Sequence, residues 1–188
     1  ANVHSHAHQR AMAGLAEVAG PGADSFWTWR EVMYRFAGRF TPDDLQAVAA
    51  QLYIEALKAG FTSIGEFQYL HHQPDGSAYA NPAEMSLRCL AAAAEAGIAI
   101  TLLPALYAHG GFGGQPPGSG QRRFVCDADL FAKIFETLAA AIQPEPTTAR
   151  LGLAPHSLRA VTPELLQRVL AMADQIVPQA PVHLHIAE

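Results

Sequence analysis

The feature that most narrows the fold is a repeated order of segments: a short apolar run, a capped amphipathic helix, then another apolar run. Four segments carry complete helix signals. Thr41-Pro42-Asp43-Asp44 supplies a capping hydroxyl, a proline at the first helical position and acids in the first turn, and Gly60 stops the helix. Between them Leu45, Val48, Leu52 and Ala56 recur at helical spacing. Asn81-Pro82-Ala83-Glu84 opens a second helix that ends at Gly97. Asp127 caps a third, carrying Leu130, Ile134 and Leu138, and Thr162-Pro163-Glu164 opens a fourth, carrying Leu166, Val169, Leu170 and Ala173. Strand-type runs cover residues 2–6, 61–67, 98–106, 151–154 and 182–186. Such alternation predicts the α/β class, a parallel sheet of about five strands with helices outside it. Two longer excursions each follow a strand. Residues 14–40 hold Phe26, Trp27 and Trp29 and predict an extra helix; residues 108–125 are rich in Gly and Pro and predict a flexible lid or substrate loop.

Composition removes several functions. Charged residues make up 15% of the chain and the net charge is −5, so nothing attracts nucleic acid or an anionic membrane, and no basic stripe interleaves with aromatics. Cys89 and Cys126 sit in no CxxC spacing, which argues against a disulfide scaffold or zinc ribbon and fits a reducing cytoplasm. There is no signal peptide, and the apolar runs are too short to span a bilayer. Both ends are abrupt: residue 1 lies almost on the first strand, and Glu188 ends a motif. The expectation is a piece of a longer protein.

The nine histidines are His4, His6, His8, His71, His72, His109, His156, His183 and His185, all at strand ends or in the loops just after them, none on the four helices. In a (β/α) barrel those positions converge on one face, where active sites form. His4-Ser5-His6 is an HxH on a strand; side chains at i and i+2 share a face, so both imidazoles can reach one metal. His183-Leu184-His185 repeats the pattern on the fifth run, where either histidine is a candidate ligand, and Glu188 follows within reach of a metal-bound water. The alternative is a set of interior polar histidines and an ordinary loop acid. His156 and Arg159 follow the fourth run. An Arg there suits a substrate carboxylate, or else an internal salt bridge. Arg30, within Trp27-Thr28-Trp29-Arg30, is a second carboxylate clamp or a surface residue braced by aromatics. Gly110-Gly111-Phe112-Gly113-Gly114 lacks the Lys-Ser/Thr of a phosphate loop and reads as flexible. His71 and His72 receive no role.

The stretch from Asn2 to Gly14 resembles the first-strand motif of formimidoylglutamate deiminases, in the amidohydrolase superfamily. Ser25-Phe26-Trp27-Thr28-Trp29-Arg30, Gly113-Gly114-Gln115-Pro116, His156-Ser157-Leu158-Arg159-Ala160-Val161-Thr162-Pro163 and His185-Ile186-Ala187-Glu188 resemble that family as well. His8 stands where relatives often carry Phe.

The resemblance implies a metal-dependent hydrolase. Residues 1–188 would be the N-terminal part, strands 1–5, of a (β/α)8 TIM barrel, with the remaining strands and a small β-sandwich domain outside this chain. One zinc would be held by His4, His6 and His185 with an Asp of the eighth strand; nitrogen-and-carboxylate sites also suit iron or manganese. Glu188 would be the catalytic proton shuttle. Gln9, Arg30, Tyr69, His156 and Arg159 would hold a small dicarboxylate substrate. The reaction would be hydrolysis of N-formimino-L-glutamate to N-formyl-L-glutamate and ammonia, a step of histidine degradation, in a cytoplasmic homodimer. Guanine, cytosine or thioether-adenosine deaminases are the nearest rivals, and a non-catalytic metal-binding fragment is the rival from another class. Ring substrates carry no pair of carboxylates, which sets Arg30 and Arg159 against the first.

Overall fold

The structure is a computed structural model that describes residues 1–17, 22, 26–142 and 148–186. In chain order it holds β1 (Asn2–Ser5), α1 (Phe26–Ala37), α2 (Pro42–Lys58), β2 (Ser63–Gln68), α3 (Glu84–Ala96), β3 (Ala99–Leu106), α4 (Ala128–Ile142), β4 (Ala149–Leu151), β5 (Ala154–Pro155) and α5 (Pro163–Ile176). Short 3-10 turns cover Ala7–Met12 and Ser119–Gln121.

The local signals set the helix ends. Thr41 and Asp44 form a reciprocal capping box on α2, a device that contributes about 1 kcal/mol. Asp127 Oδ1 accepts from Leu130 N at 2.8 Å, and Thr162 Oγ1 accepts from Leu165 N at 3.3 Å. The second helix differs from expectation: Asn81 Oδ1 caps the turn before it, accepting from Ala83 N at 3.0 Å, and α3 begins at Glu84 without a side-chain cap. Gly97 ends α3 in the left-handed conformation.

The strands run parallel in the order β1-β2-β3-β4, and β5 pairs with β3 further along. Helices pack on the outer face, where Tyr53, Cys89, Phe131, Phe135 and Leu138 are fully buried. This is the α/β arrangement of the first part of a (β/α)8 barrel. Both cysteines are free and buried. Among the described residues no helix is long and apolar enough to cross a membrane.

Three expectations need correction. The fourth strand starts earlier, at Ala149, and is split, because Gly152 lies where a Cβ would meet Pro181 O at 2.6 Å and Leu103 Cδ2 at 2.7 Å. The expected fifth strand, 182–186, is not continuous. It touches the sheet through two isolated parallel bridges, Leu153 with Val182 and Ser157 with His185. Its neighbour is the split strand, so regular pairing has no unbroken edge to follow. His8 lies in the 3-10 turn Ala7–Met12 rather than in a loop.

The excursions also separate. Residues 14–40 do contain a helix, α1. Residues 108–125 are not a loose lid throughout, since Gln121, Arg123 and Phe124 at their far end are buried.

Candidate active site

Ser5, the last residue of β1, is buried, and His6, between the strand and the 3-10 turn, brings its ring beside that of His4. There His4 Nε2 lies 3.1 Å from His6 Nε2 and 3.3 Å from His185 Nε2. Ligand nitrogens of all three lie within 4.8 Å of one another. A tetrahedral ion with bonds of about 2.0–2.1 Å sets its ligands roughly 3.3–3.4 Å apart, so this spacing fits a divalent metal.

Protonation fits as well. His6 Nδ1 lies 2.9 Å from Phe67 O, an acceptor only, so Nδ1 holds the proton and Nε2 offers its lone pair. His4 Nδ1 lies 3.2 Å from His183 Nε2, and donation there leaves His4 Nε2 as the ligating atom. Burial first, then the neighbouring histidines, hold His4 below its ordinary pKa. Burial likewise pushes His6 down to about 3, against the opposing pull of Phe67 O. Neutral rings at His4 and His6 that turn lone pairs toward one point suit a cation there.

Two residues of β2 hold this end in place. The Phe67 ring stacks on His185 with centroids 4.5 Å apart. On the opposite face, the buried Glu66 Oε1 accepts from Ala7 N at 2.7 Å, bracing the backbone next to His6. Glu66 Oε2 is buried too. Burial raises the Glu66 carboxyl to about 7, only partly offset by the Ala7 N–H and then by the Ser5 and Tyr53 hydroxyls.

From the histidines a pocket of about 250 Å³ runs toward two arginines, lined by residues that include His6, Gln9, Arg30, Tyr69, His156, Arg159 and His185. Gln9 Nε2 donates to Tyr69 Oη at 3.1 Å. The His156 ring sits 5.0 Å from His185 and 4.5 Å from Tyr107, bridging the two ends. Burial pushes His156 down to about 2, helped by His185 and then by Arg159, so it meets a ligand as a neutral ring. The Arg159 guanidinium lies 5.6 Å from the centre of the Tyr107 ring and donates to Tyr107 Oη at 2.9 Å and to Gly110 O at 3.1 Å. The Arg30 guanidinium lies 5.0 Å from the Tyr34 ring centre and Nε donates to Tyr34 Oη. Phe124 packs under three tyrosines, Tyr34, Tyr69 and Tyr107, at 5.8, 5.0 and 5.9 Å. Among the described residues the lining carries two guanidiniums and no carboxylate.

The structure therefore gathers His4, His6 and His185 at one point and lines the adjoining pocket with Gln9, Arg30, Tyr69, His156 and Arg159. Glu188 lies outside the described residues. His71 and His72 take structural roles, with Nε2 atoms 2.7 Å from Ala105 O and 2.7 Å from Val125 O. Sequence reasoning left His183 open as a ligand or an interior polar histidine, and the structure sets it beside His4. It missed the tyrosines under the arginines and Glu66, of which Glu66 left a signal, an acid inside an apolar strand run.

Comparison with known proteins agrees with this geometry. Residues 1–188 match the amidohydrolase family over their whole length. The chain is 55% identical over 187 residues to the formimidoylglutamate deiminase of Pseudomonas aeruginosa, covering all of this chain and 40% of that protein. It superposes on a crystal structure of an amidohydrolase from Brucella melitensis with a TM-score of 0.89 at 53% identity, over all of this chain and 41% of the other. The atrazine chlorohydrolase TrzN from Arthrobacter aurescens TC1, solved in complex with zinc, shares the fold at a TM-score of 0.71 and 22% identity, over 98% of this chain and 39% of its own. The chain thus spans about two fifths of the length of the relatives it matches, and it belongs to the amidohydrolase family.

Proposed function

We propose that the whole protein is a zinc-dependent formimidoylglutamate deiminase, which hydrolyses N-formimino-L-glutamate to N-formyl-L-glutamate and ammonia as a step of histidine degradation. The observation that carries this reading is the polarity of one pocket: an imidazole cluster fit for a metal at one end, two guanidiniums at the other. The 55% identity to a named deiminase supports the same substrate. His4, His6 and His185 would hold the metal. Once bound, zinc there would lower the pKa of a coordinated water toward ~7, supplying a nucleophile at neutral pH.

The remaining work falls to the chain's own side chains. Arg159 and Arg30 bind the two carboxylates of the substrate through forked, permanently charged donors. That anchors the formimino group at the imidazole end. Neutral His156, between the two ends, offers a ring nitrogen to the substrate without adding a third positive charge. Gln9 and Tyr69, already hydrogen-bonded together, line the wall beside the metal end. Glu188 takes the proton released as water adds to the formimino carbon and returns it to the departing nitrogen, base first and acid second.

The test is ammonia release by the whole protein from N-formimino-L-glutamate, run beside guanine, cytosine and thioether adenosine. Turnover confined to the formimino dicarboxylate is the expected result. Comparable turnover of any ring substrate would sink the assignment.

A further inference from the structure

Tyr107 directly follows β3, is 3% exposed and lines the pocket. Its phenol oxygen has two hydrogen-bond neighbours, and each is a donor. Arg159 Nη1 lies 2.9 Å away, and a guanidinium has no acceptor to offer. The Gln121 amide nitrogen lies 2.5 Å away. Its orientation is fixed from behind, because Gly118 N–H donates to the amide oxygen at 2.7 Å and leaves the NH2 facing the phenol. Both acceptor positions of the phenol oxygen are filled, so its own hydrogen must go to a third partner. Among the described residues no acceptor stands within hydrogen-bond distance of it. The ring cannot swing to find one, held between His156 at 4.5 Å and Phe124 at 5.9 Å.

A buried hydroxyl with a forced donor role, beside a guanidinium and on a pocket wall, selects a ligand that brings an anionic acceptor. We propose that the Tyr107 hydroxyl donates its hydrogen to the substrate carboxylate that Arg159 pairs with, making Tyr107 a specificity-determining contact for that carboxylate; this rests on the dicarboxylate reading given above. Arg159 supplies charge, and Tyr107 supplies a directional donor that a neutral group satisfies less well. Tyr34 stands under Arg30 in a similar way, but its oxygen receives only the Arg30 Nε–H, so its donor direction is not forced.

The experiment uses the whole, metal-loaded protein and compares wild type, Tyr107→Phe, Arg159→Ala and the double variant. With N-formimino-L-glutamate, Tyr107→Phe is expected to raise KM about 10-fold or more while kcat stays within about 3-fold, the pattern of lost ground-state binding. Two analogues, each lacking one carboxylate, locate the contact: for one of them Tyr107→Phe and wild type should bind alike. A variant that had merely lost its fold would fail on both. In the Arg159→Ala background a further weakening of several-fold is expected, because the contact is direct. If Tyr107→Phe adds nothing there, the tyrosine only positions Arg159 and the proposal is overturned. Calorimetric titration with N-formyl-L-glutamate reads the same contact without turnover. Absence of ammonia release would then defeat the deiminase reading alone, while equal affinity of wild type and Tyr107→Phe in the titration would defeat this one.

Discussion

At the imidazole end of the pocket, the ring nitrogens of His4, His6 and His185 converge on one point; at the guanidinium end, Arg30 and Arg159 carry permanent charge, each laid over a tyrosine ring. The supports differ as well. Behind the imidazoles stand ionisable groups, His183 beside His4 and Glu66 bonded to the backbone next to His6. Beside the arginines stand Tyr107 and Tyr34, with the Gln121 amide and the Phe124 ring against those tyrosines. The contrast teaches how one pocket, in a chain of net charge −5, places an imidazole cluster and two guanidiniums within a few side chains of each other. Neutral His156 separates the two and keeps the arginine field from meeting a protonated ring.

Removing a metal ligand breaks the comparison most severely. His6→Ala deletes one of the lone pairs that face the metal and leaves the arginine end intact. Metal content of the purified whole protein should fall, and ammonia release should drop on the order of 10³-fold or more. Binding of N-formyl-L-glutamate should survive in weakened form, since its carboxylates meet the other end. Full metal occupancy in His6→Ala would remove His6 from the ligand set.

The opposite break is Arg159→Ala. It removes a charged donor and leaves the Tyr107 hydroxyl behind. A lost charge-assisted hydrogen bond is worth about 1.5–3 kcal/mol, so kcat/KM should fall roughly 10- to 100-fold, mostly through KM, with metal content unchanged. Steady-state kinetics with the metal assayed in parallel decide it. Activity unaltered by this change would mean that the carboxylate is held elsewhere.

The ionisable brace sharpens the contrast through pH. Glu66 has its carboxyl raised from 4.5 to about 7 by burial. Between those values the native state keeps a proton on Glu66 that the unfolded chain has lost, so the contribution of this group to stability falls as pH rises across the window. The full contribution is on the order of 3 kcal/mol. Glu66→Gln keeps an oxygen for Ala7 N and cannot titrate. The depressed histidines impose an opposite slope on both proteins, so the reading is a difference: the urea midpoint of the whole wild-type protein should lose ground against Glu66→Gln as pH rises from about 4.5 to about 7. Parallel profiles for the two proteins would show that Glu66 is not the group responsible.

How much of this was legible in the sequence follows from how local each signal is. Thr41 with Asp44, Asp127 and Thr162 announce their helices within one turn, and the structure follows them. His4 and His6 are two residues apart at the end of β1, so their pairing could be read from strand spacing, although His6 itself stands one residue past the strand. The 182–186 segment could not, since its pairing depends on a neighbour broken at Gly152, where Pro181 O comes close. Nor could the arginine supports. Tyr34, Tyr107 and Gln121 are far apart in sequence and meet only because the 108–125 segment folds back over the pocket rather than standing off it as a lid. A Gly-rich stretch signals freedom when read alone. Here Gly110 and Gly120 mark close approach, where a Cβ would meet Pro116 O and Tyr34 Cδ2, each at 2.5 Å.

Gly120 gives that point its test and the smallest expected effect. A Cβ there would lie 2.5 Å from Tyr34 Cδ2, so the ring rests against bare backbone. Tyr34 in turn receives Arg30 Nε, which makes Gly120 a distant support of the guanidinium end. Gly120→Ala should displace the Tyr34 ring by a few tenths of an ångström or more and shift Arg30 with it. Small displacements of a substrate-holding group weaken binding before they alter chemistry. The expected result is a KM for N-formimino-L-glutamate raised by about 2- to 5-fold, with kcat and metal content unchanged. A fall in metal content instead would mean that the two ends share their supports, and the division between them would fail.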